Sequence, residues 1–130
     1  PSRIVFYAGD NDITSKKTPE RVYDDYLTFV TLARKSFPGI PIDFIAIKPS
    51  PSRWDVWPEM REANRLVRNF CNTDTALGYF DIATPMLDDS GTVREDIFIE
   101  DMLHMNAKGY RIWTGVIRPV LMDWREEDSR

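Results

Sequence analysis

The segment Asp101-Met-Leu-His104-Met-Asn106 contains the only histidine of the 130-residue chain, and a carboxylate precedes that histidine by three positions. Histidine is the side chain that most readily takes up and returns a proton near neutral pH. A site that uses such a base for acyl transfer needs a third group to orient it, usually a carboxylate that accepts from the imidazole Nδ1–H. A separation of three places both side chains on one face of a turn. Asp101 and His104 are therefore a candidate orienting carboxylate and general base.

A second candidate group, Gly9-Asp10-Asn11-Asp12, follows the first apolar segment of the chain. The side-chain amide of Asn11 is an N–H donor of the kind that stabilises the oxyanion of a tetrahedral intermediate. Gly9 allows a tight backbone turn and close approach of a substrate. Taken alone, Gly-x-Asn-Asp is a common turn. It becomes a functional candidate only together with the Asp101/His104 pair.

Three apolar segments predict the strands that would position these groups. Ile4–Ala8 is apolar at every position, which is typical of a strand buried on both faces. Ile42–Ile47 and Tyr79–Ala83 predict a second and a third strand.

Helical periodicity predicts three helices between and after the strands. The first starts at the N-cap Thr18 and ends at Pro38-Gly39, and the second carries an apolar stripe from Trp57 to Phe70. The third runs from Ala107 to about Trp124 after the N-cap Asn106, and Pro119 is expected to kink it or to begin a second short segment.

This order of elements predicts an α/β fold with a parallel sheet and right-handed crossovers. Ligands of such sheets gather at the carboxyl ends of the strands. Three loops are expected at that edge: Gly9–Asp12, Lys48–Trp54 and the long irregular segment that ends at His104. The sequence therefore predicts that Asn11 and His104 meet at one cavity.

Composition limits the classes of partner. The length predicts one domain over residues 1–130. The chain is 42% hydrophobic and 29% charged, and has a net charge of −4 with scattered basic residues. This argues against a nucleic-acid backbone or an anionic membrane surface as partner, and no apolar run is long enough to span a bilayer. A single cysteine, Cys71, excludes an internal disulfide and leaves no Cys/His cluster for zinc. The sequence does not indicate the cellular compartment of the protein.

Taken together, Ala8-Gly-Asp-Asn-Asp12 after an apolar strand and Asp101-x-x-His104-Met-Asn106-x-x-Gly109-Tyr110 before a final helix resemble the SGNH hydrolases, also called GDSL esterases and lipases. The likeness runs from Ile4 to about Leu121. It implies a three-layer, flavodoxin-like parallel sheet flanked by helices. It also implies that His104 is the general base and Asp101 its orienting partner, with Asn11 as oxyanion donor and Gly9 as the turn glycine beside it. No metal or cofactor is implied, and the substrate would be a small-molecule, lipid or sugar ester.

The sequence departs from that family at the nucleophile. The family's serine lies in a Gly-Asp-Ser motif upstream of the Asn block, with a second glycine donor between them, and neither has a counterpart here. Ser50 and Ser52 lie in a rim loop but are flanked by prolines and show no nucleophile elbow. We therefore expect the C-terminal portion of an SGNH hydrolase, incomplete at its N-terminal side and inactive alone. We also expect Ile4–Ala8 to form a sheet edge that associates with the missing segment or with another chain.

Two alternatives to an ester hydrolase stay open. One is a non-catalytic binding domain, or inactive fragment, that keeps the fold without the nucleophile. The other is an unrelated flavodoxin-like fold that binds a phosphate or nucleotide, which the absence of a Gly-rich loop disfavours. Trp54 and Trp57 either line an acyl or sugar pocket or pack the start of a helix. Asp88–Gly91 is interpreted as an exposed turn rather than a calcium loop.

Overall fold

Three parallel strands form the sheet of this computed structural model, which describes the backbone of residues 2–128 and the side chains of residues 2–119. They are β1 (Ile4–Phe6), β2 (Ile42–Ile45) and β3 (Leu77–Phe80), in the spatial order β1-β2-β3. Ile42 lies opposite Ile4 on one side and Leu77 on the other. All four residues of β2 are buried, as expected for the central strand of a sheet covered by helices. The predicted α/β fold with a parallel sheet flanked by helices is confirmed.

Four α-helices accompany the strands: α1 (Asp10–Thr14), α2 (Pro19–Ser36), α3 (Trp57–Cys71) and α4 (Ala107–Asp128). Short 3-10 helices occupy Pro51–Val56, Thr84–Met86 and Glu95–Ile97. The start of α2 is as predicted, since Thr18 Oγ1 accepts from the Arg21 amide at 3.1 Å. The start of α4 is also as predicted, because Asn106 Oδ1 accepts from the Gly109 amide at 3.1 Å. Helix α4 continues through Pro119, so of the two expectations for this residue, a kink or a second short segment, the second segment is not observed in the described backbone.

Three strand predictions need correction. β1 is shorter than predicted and is not buried on both faces, since Val5 is 45% exposed at the edge of the sheet. β2 ends at Ile45, and the backbone of Ile47 is paired instead with the buried side chain of Asn64 on α3, at 2.8 and 3.0 Å. β3 begins two residues earlier than predicted, at Leu77. It also ends earlier, at Phe80, because Asp81 turns the chain there and its carboxylate accepts from the Thr84 amide at 3.0 Å.

The core lies between β2 and the helices α2 and α3. Tyr26 of α2 and Val67 of α3 are fully buried, and the Tyr26 ring meets the Phe44 ring edge-on at 5.3 Å between centroids. Cys71 is buried, with its Sγ 3.4 Å from the Tyr26 hydroxyl. Within the part of the chain described, no helix is long and apolar enough to cross a bilayer.

Candidate active site

Asp101 and His104 are in direct contact. His104 Nδ1 lies 2.5 Å from Asp101 Oδ2, and Asp101 Oδ1 accepts from the backbone amides of Leu103 and His104, each at 2.9 Å. The hydrogen bond from His104, followed by those two amides, lowers the pKa of Asp101 to about 2. The imidazole is 69% exposed, and its Nε2 has no hydrogen-bond partner among the described residues. The pair can therefore hold a base in one orientation while its other nitrogen stays free.

The loop that carries this pair is closed on itself and anchored to the core. Phe98 and Met105 form an antiparallel bridge and are both buried, and the Ile99 amide donates to the His104 carbonyl at 2.9 Å. At the tip of the loop Met102 has a φ of 55°, a left-handed conformation that is uncommon for methionine. Asn106 Nδ2 donates to the Asp96 carbonyl at 2.9 Å and so ties the start of α4 to the same segment.

Gly9 and Asn11 lie where β1 passes into α1. Gly9 caps this helix with a φ of 115°, and a Cβ there would come within 2.7 Å of Ile47 Cδ1. Both the backbone angle and the close packing therefore favour glycine. The predicted turn at Gly9–Asp12 is in fact the first turn of α1, so Asn11 is carried by a helix rather than by a loop.

Asn11 and His104 line one open cavity of about 640 Å³ at the carboxyl edge of the sheet, as predicted. Gly9 lines it too, whereas Asp101 lies outside the lining, behind His104. Three aromatic residues form part of the wall: Tyr7, Tyr110 and Trp113. The Tyr7 and Trp113 rings meet edge-on at 5.5 Å between centroids. Burial, followed by the nearby Asp10 carboxylate, raises the pKa of Tyr7 to about 12.

Sequence reasoning missed two cationic residues in this cavity, Lys48 and Arg53. Lys48 is only 8% exposed, and its Nζ donates to the Leu103 carbonyl at 2.8 Å. Burial lowers the pKa of Lys48, and the Asp10 carboxylate 3.8 Å away partly opposes this effect. Arg53 Nη1 lies 2.5 Å from the other oxygen of Asp10. Their position in the sequence could have indicated them, since both cations flank the Pro-Ser-Pro-Ser loop predicted to reach this edge.

Other candidates do not line the cavity. Trp54 and Trp57 stack on each other with centroids 6.1 Å apart and are not part of the cavity wall, so they pack rather than line it. Ser50 is buried and also outside the lining. The Asp88 carboxylate accepts from the Ser90 and Thr92 amides at 2.9 and 3.0 Å, which closes an exposed turn. Within the described residues, no three His, Cys, Asp or Glu side chains are grouped to hold a metal ion.

The chain belongs to the GDSL-like lipase/acylhydrolase family, whose model matches residues 1–112. The predicted resemblance is thereby confirmed, and the sheet and flanking helices match solved structures of this class. A search of curated proteins finds no match.

Three of the similar solved structures are named for esterases or lipases. A carbohydrate esterase family 3 protein from Talaromyces cellulolyticus is 18% identical with a TM-score of 0.79, covering 98% of this chain and 60% of that one. An acetyl esterase variant crystallised with an acetate ion is 17% identical with a TM-score of 0.79, covering 98% and 60%. A GDSL-like lipase from Bacteroides thetaiotaomicron is 16% identical with a TM-score of 0.75, covering 95% and 63%. These identities establish similarity of fold, and this chain spans about three fifths of the length of those proteins.

Proposed function

We propose that the complete protein is a serine ester hydrolase to which this chain contributes the base and one oxyanion donor. The observation that carries the proposal is that Asn11 and His104, far apart in sequence, line the same cavity while Asp101 holds the Nδ1 of His104. Membership of the GDSL-like lipase/acylhydrolase family supports the same reaction class. The nucleophilic serine would come from a segment outside these residues.

In the proposed mechanism the Nε2 of His104 takes the serine proton as the hydroxyl oxygen attacks the ester carbonyl. The Asp101 carboxylate stabilises the imidazolium that forms. Asn11 Nδ2 donates to the oxyanion of the tetrahedral intermediate. The intermediate collapses and the imidazolium returns its proton to the leaving alkoxide. Water then hydrolyses the acyl-enzyme through the same base, which restores the serine hydroxyl.

For the substrate we propose an ester with a small acyl group, such as acetate, on a sugar or another small alcohol. The cavity offers an aromatic wall of Tyr7, Tyr110 and Trp113, whose rings can pack on the apolar face of a sugar. The similar carbohydrate esterase and acetyl esterase support this class of substrate.

We propose that the segment bearing the nucleophile pairs with the free edge of β1. Within the described residues β1 pairs only with β2, and an apolar, unpaired strand edge favours association. A strand added there in parallel would end at the same carboxyl edge as Gly9 and Asn11. A partner chain at this edge is the alternative source of the serine.

The function is tested on the complete protein by p-nitrophenyl acetate turnover and by labelling with a serine-directed fluorophosphonate. We expect His104→Ala to lower kcat by about 10³-fold or more, because the serine loses its base. Glu100→Ala, an exposed change in the same loop, serves as the control and should leave kcat within about twofold, as expected for a surface position.

Full esterase activity in the His104→Ala protein would discard the role of His104. A wild-type protein that neither turns over the ester nor takes up the label would instead favour the non-catalytic binding domain.

A further inference from the structure

We propose that Arg53 is a positioning residue that orients the side-chain amide of Asn11 toward the reacting ester. This inference rests on the proposed function, because it assumes that Asn11 stabilises the oxyanion. Arg53 lies in the segment between β2 and α3, and no residue of that segment has a role in the mechanism proposed above.

The contact between Arg53 and Asn11 determines which way the amide faces. Arg53 Nη1 lies 3.1 Å from Asn11 Oδ1. A guanidinium has only N–H donors and no acceptor, so the amide atom that faces it must be the oxygen. The Nδ2 group is therefore turned away from Arg53, and it makes no hydrogen bond to any described residue. In this orientation it is free to donate to an oxyanion in the cavity that Asn11 lines.

Without this contact the amide would lose its preferred orientation. Rotation about the last side-chain bond of asparagine is broad and roughly two-fold, so the oxygen and the nitrogen can exchange places. An exchanged amide would present an acceptor oxygen to a negatively charged oxygen, which repels it. Fixing the amide before the reaction avoids this reorientation cost in the transition state.

Arg53 is itself held in place by Asp10, the residue before Asn11. Its Nη1 is 2.5 Å from Asp10 Oδ1, and both side chains are only 21% exposed. The second oxygen of Asp10 lies 3.8 Å from Lys48 Nζ, which donates to the Leu103 carbonyl beside His104. Asp10 thus links Arg53, which contacts Asn11, to Lys48, which contacts the residue before His104.

The test is a double-mutant cycle on the complete protein, with kcat and KM measured for p-nitrophenyl acetate. We expect Asn11→Ala to lower kcat by about 100-fold or more, as for loss of one oxyanion donor. Arg53→Met, which keeps the aliphatic stem, should lower kcat by about tenfold with KM changed by less than about threefold. In the double variant the Arg53 change should cost less than about twofold beyond Asn11→Ala, because its effect passes through the amide.

The matched control is Arg34→Met, which removes an arginine–aspartate pair of similar geometry, 2.6 Å to Asp74, away from the cavity. It should leave kcat within about twofold, as expected for a partly exposed ion pair outside the site. Circular dichroism of each variant checks folding. If Arg53→Met does not fold, Arg53→Gln enters the same cycle under the same criterion, because its amide can still donate to Asp10 but, having an acceptor oxygen of its own, no longer dictates which atom of the Asn11 amide faces it.

The outcomes separate the two proposals. Loss of kcat on Asn11→Ala together with a fully additive effect of the Arg53 change overturns the positioning role alone, and would assign Arg53 to substrate contact or structure. An Asn11→Ala protein with normal kcat overturns the oxyanion role of Asn11 and this inference with it. A rise in KM without loss of kcat in Arg53→Met also overturns the positioning role.

Discussion

Both carboxylate oxygens of Asp101 are engaged in hydrogen bonds within the His104 loop. One oxygen faces His104 Nδ1 and the other accepts from two backbone amides. All three interactions favour the ionised carboxylate, so its pKa falls to about 2. Because the folded-state pKa is lowered, the associated stabilisation is present above the ordinary carboxyl pKa and is lost as the pH falls toward 2. Asp101 is therefore expected to stay ionised between pH 5 and 7, so a loss of activity in that range would have to come from another group.

The pKa of Asp101 in a His104 variant can be checked by carboxyl-carbon NMR titration. In His104→Ala its pKa should rise, because the largest cause of the shift is removed. It should stay below the ordinary carboxyl value, since the Leu103 amide and the amide of residue 104 still donate. Asp88, whose pKa is lowered by Ser90 and Thr92, is an internal control and should not move. An unchanged pKa of Asp101 would show that the contact with His104 is not made in solution.

The first turn of α4 determines where the His104 loop lies. Gly109 packs against that loop so closely that a Cβ would come within 2.5 Å of the Ile97 carbonyl oxygen and 2.8 Å of Met105 Cβ. The first of these is a backbone atom, which cannot move aside by changing rotamer. Close contact between α4 and the loop thus requires a glycine at this position.

Gly109→Ala should therefore destabilise the fold, whereas Gly115→Ala on the same helix should not. We expect about 1–3 kcal/mol of destabilisation at Gly109, as for overpacking. At Gly115 nothing lies within 4 Å of the added Cβ, and we expect about 0.5–1 kcal/mol of stabilisation from helix propensity. Urea unfolding followed by circular dichroism measures both free energies of unfolding. Equal effects at the two glycines would show that the tight contact with Ile97 is absent.

The outer edge of β1 is unpaired in the sheet of the whole described chain. The Ile4 amide donates to the Pro41 carbonyl at 3.0 Å, on the β2 side. Successive amides of a strand alternate in direction, so the Val5 amide points to the outer side. Val5 is also 45% exposed, which is unusual for an apolar strand residue in a parallel sheet.

If another strand covers this edge in the complete protein, the Val5 amide must be protected from hydrogen exchange. We expect its exchange to be slowed to a degree similar to that of the Ile42 amide, which donates to the Ala76 carbonyl at 2.9 Å. Amide exchange followed by NMR resolves the two sites. Exchange of the Val5 amide as fast as that of an exposed loop would mean that the edge is bare, and the nucleophile would then have to reach the cavity by another route.

Local patterns in the sequence were sufficient for the order of the three strands and the three longer helices, the α/β class and the starts of α2 and α4, but not for the short helix α1. These features depend on neighbours within a few residues, such as the hydroxyl of Thr18 and the amide of Asn106, and on hydrophobic periodicity. The Asp101–His104 contact is local in the same way, since three residues separate the pair. The convergence of Asn11 and His104 was also predictable, because parallel strands deliver their following loops to one edge. Their catalytic roles stay predictions.

Other features depend on contacts between residues that are distant in the sequence. The salt bridges of Asp10 with Lys48 and Arg53 join residues about forty positions apart, and no local pattern specifies which cation meets which carboxylate. The exposure of β1 and the aromatic wall of the cavity likewise depend on what packs beside them rather than on their own residues. The residue types and their spacing predicted which groups could do chemistry and that they would meet at the carboxyl edge of the sheet. The folded chain determined which of those groups are held, and by what, because long-range packing and ion pairing are set only when distant elements come together.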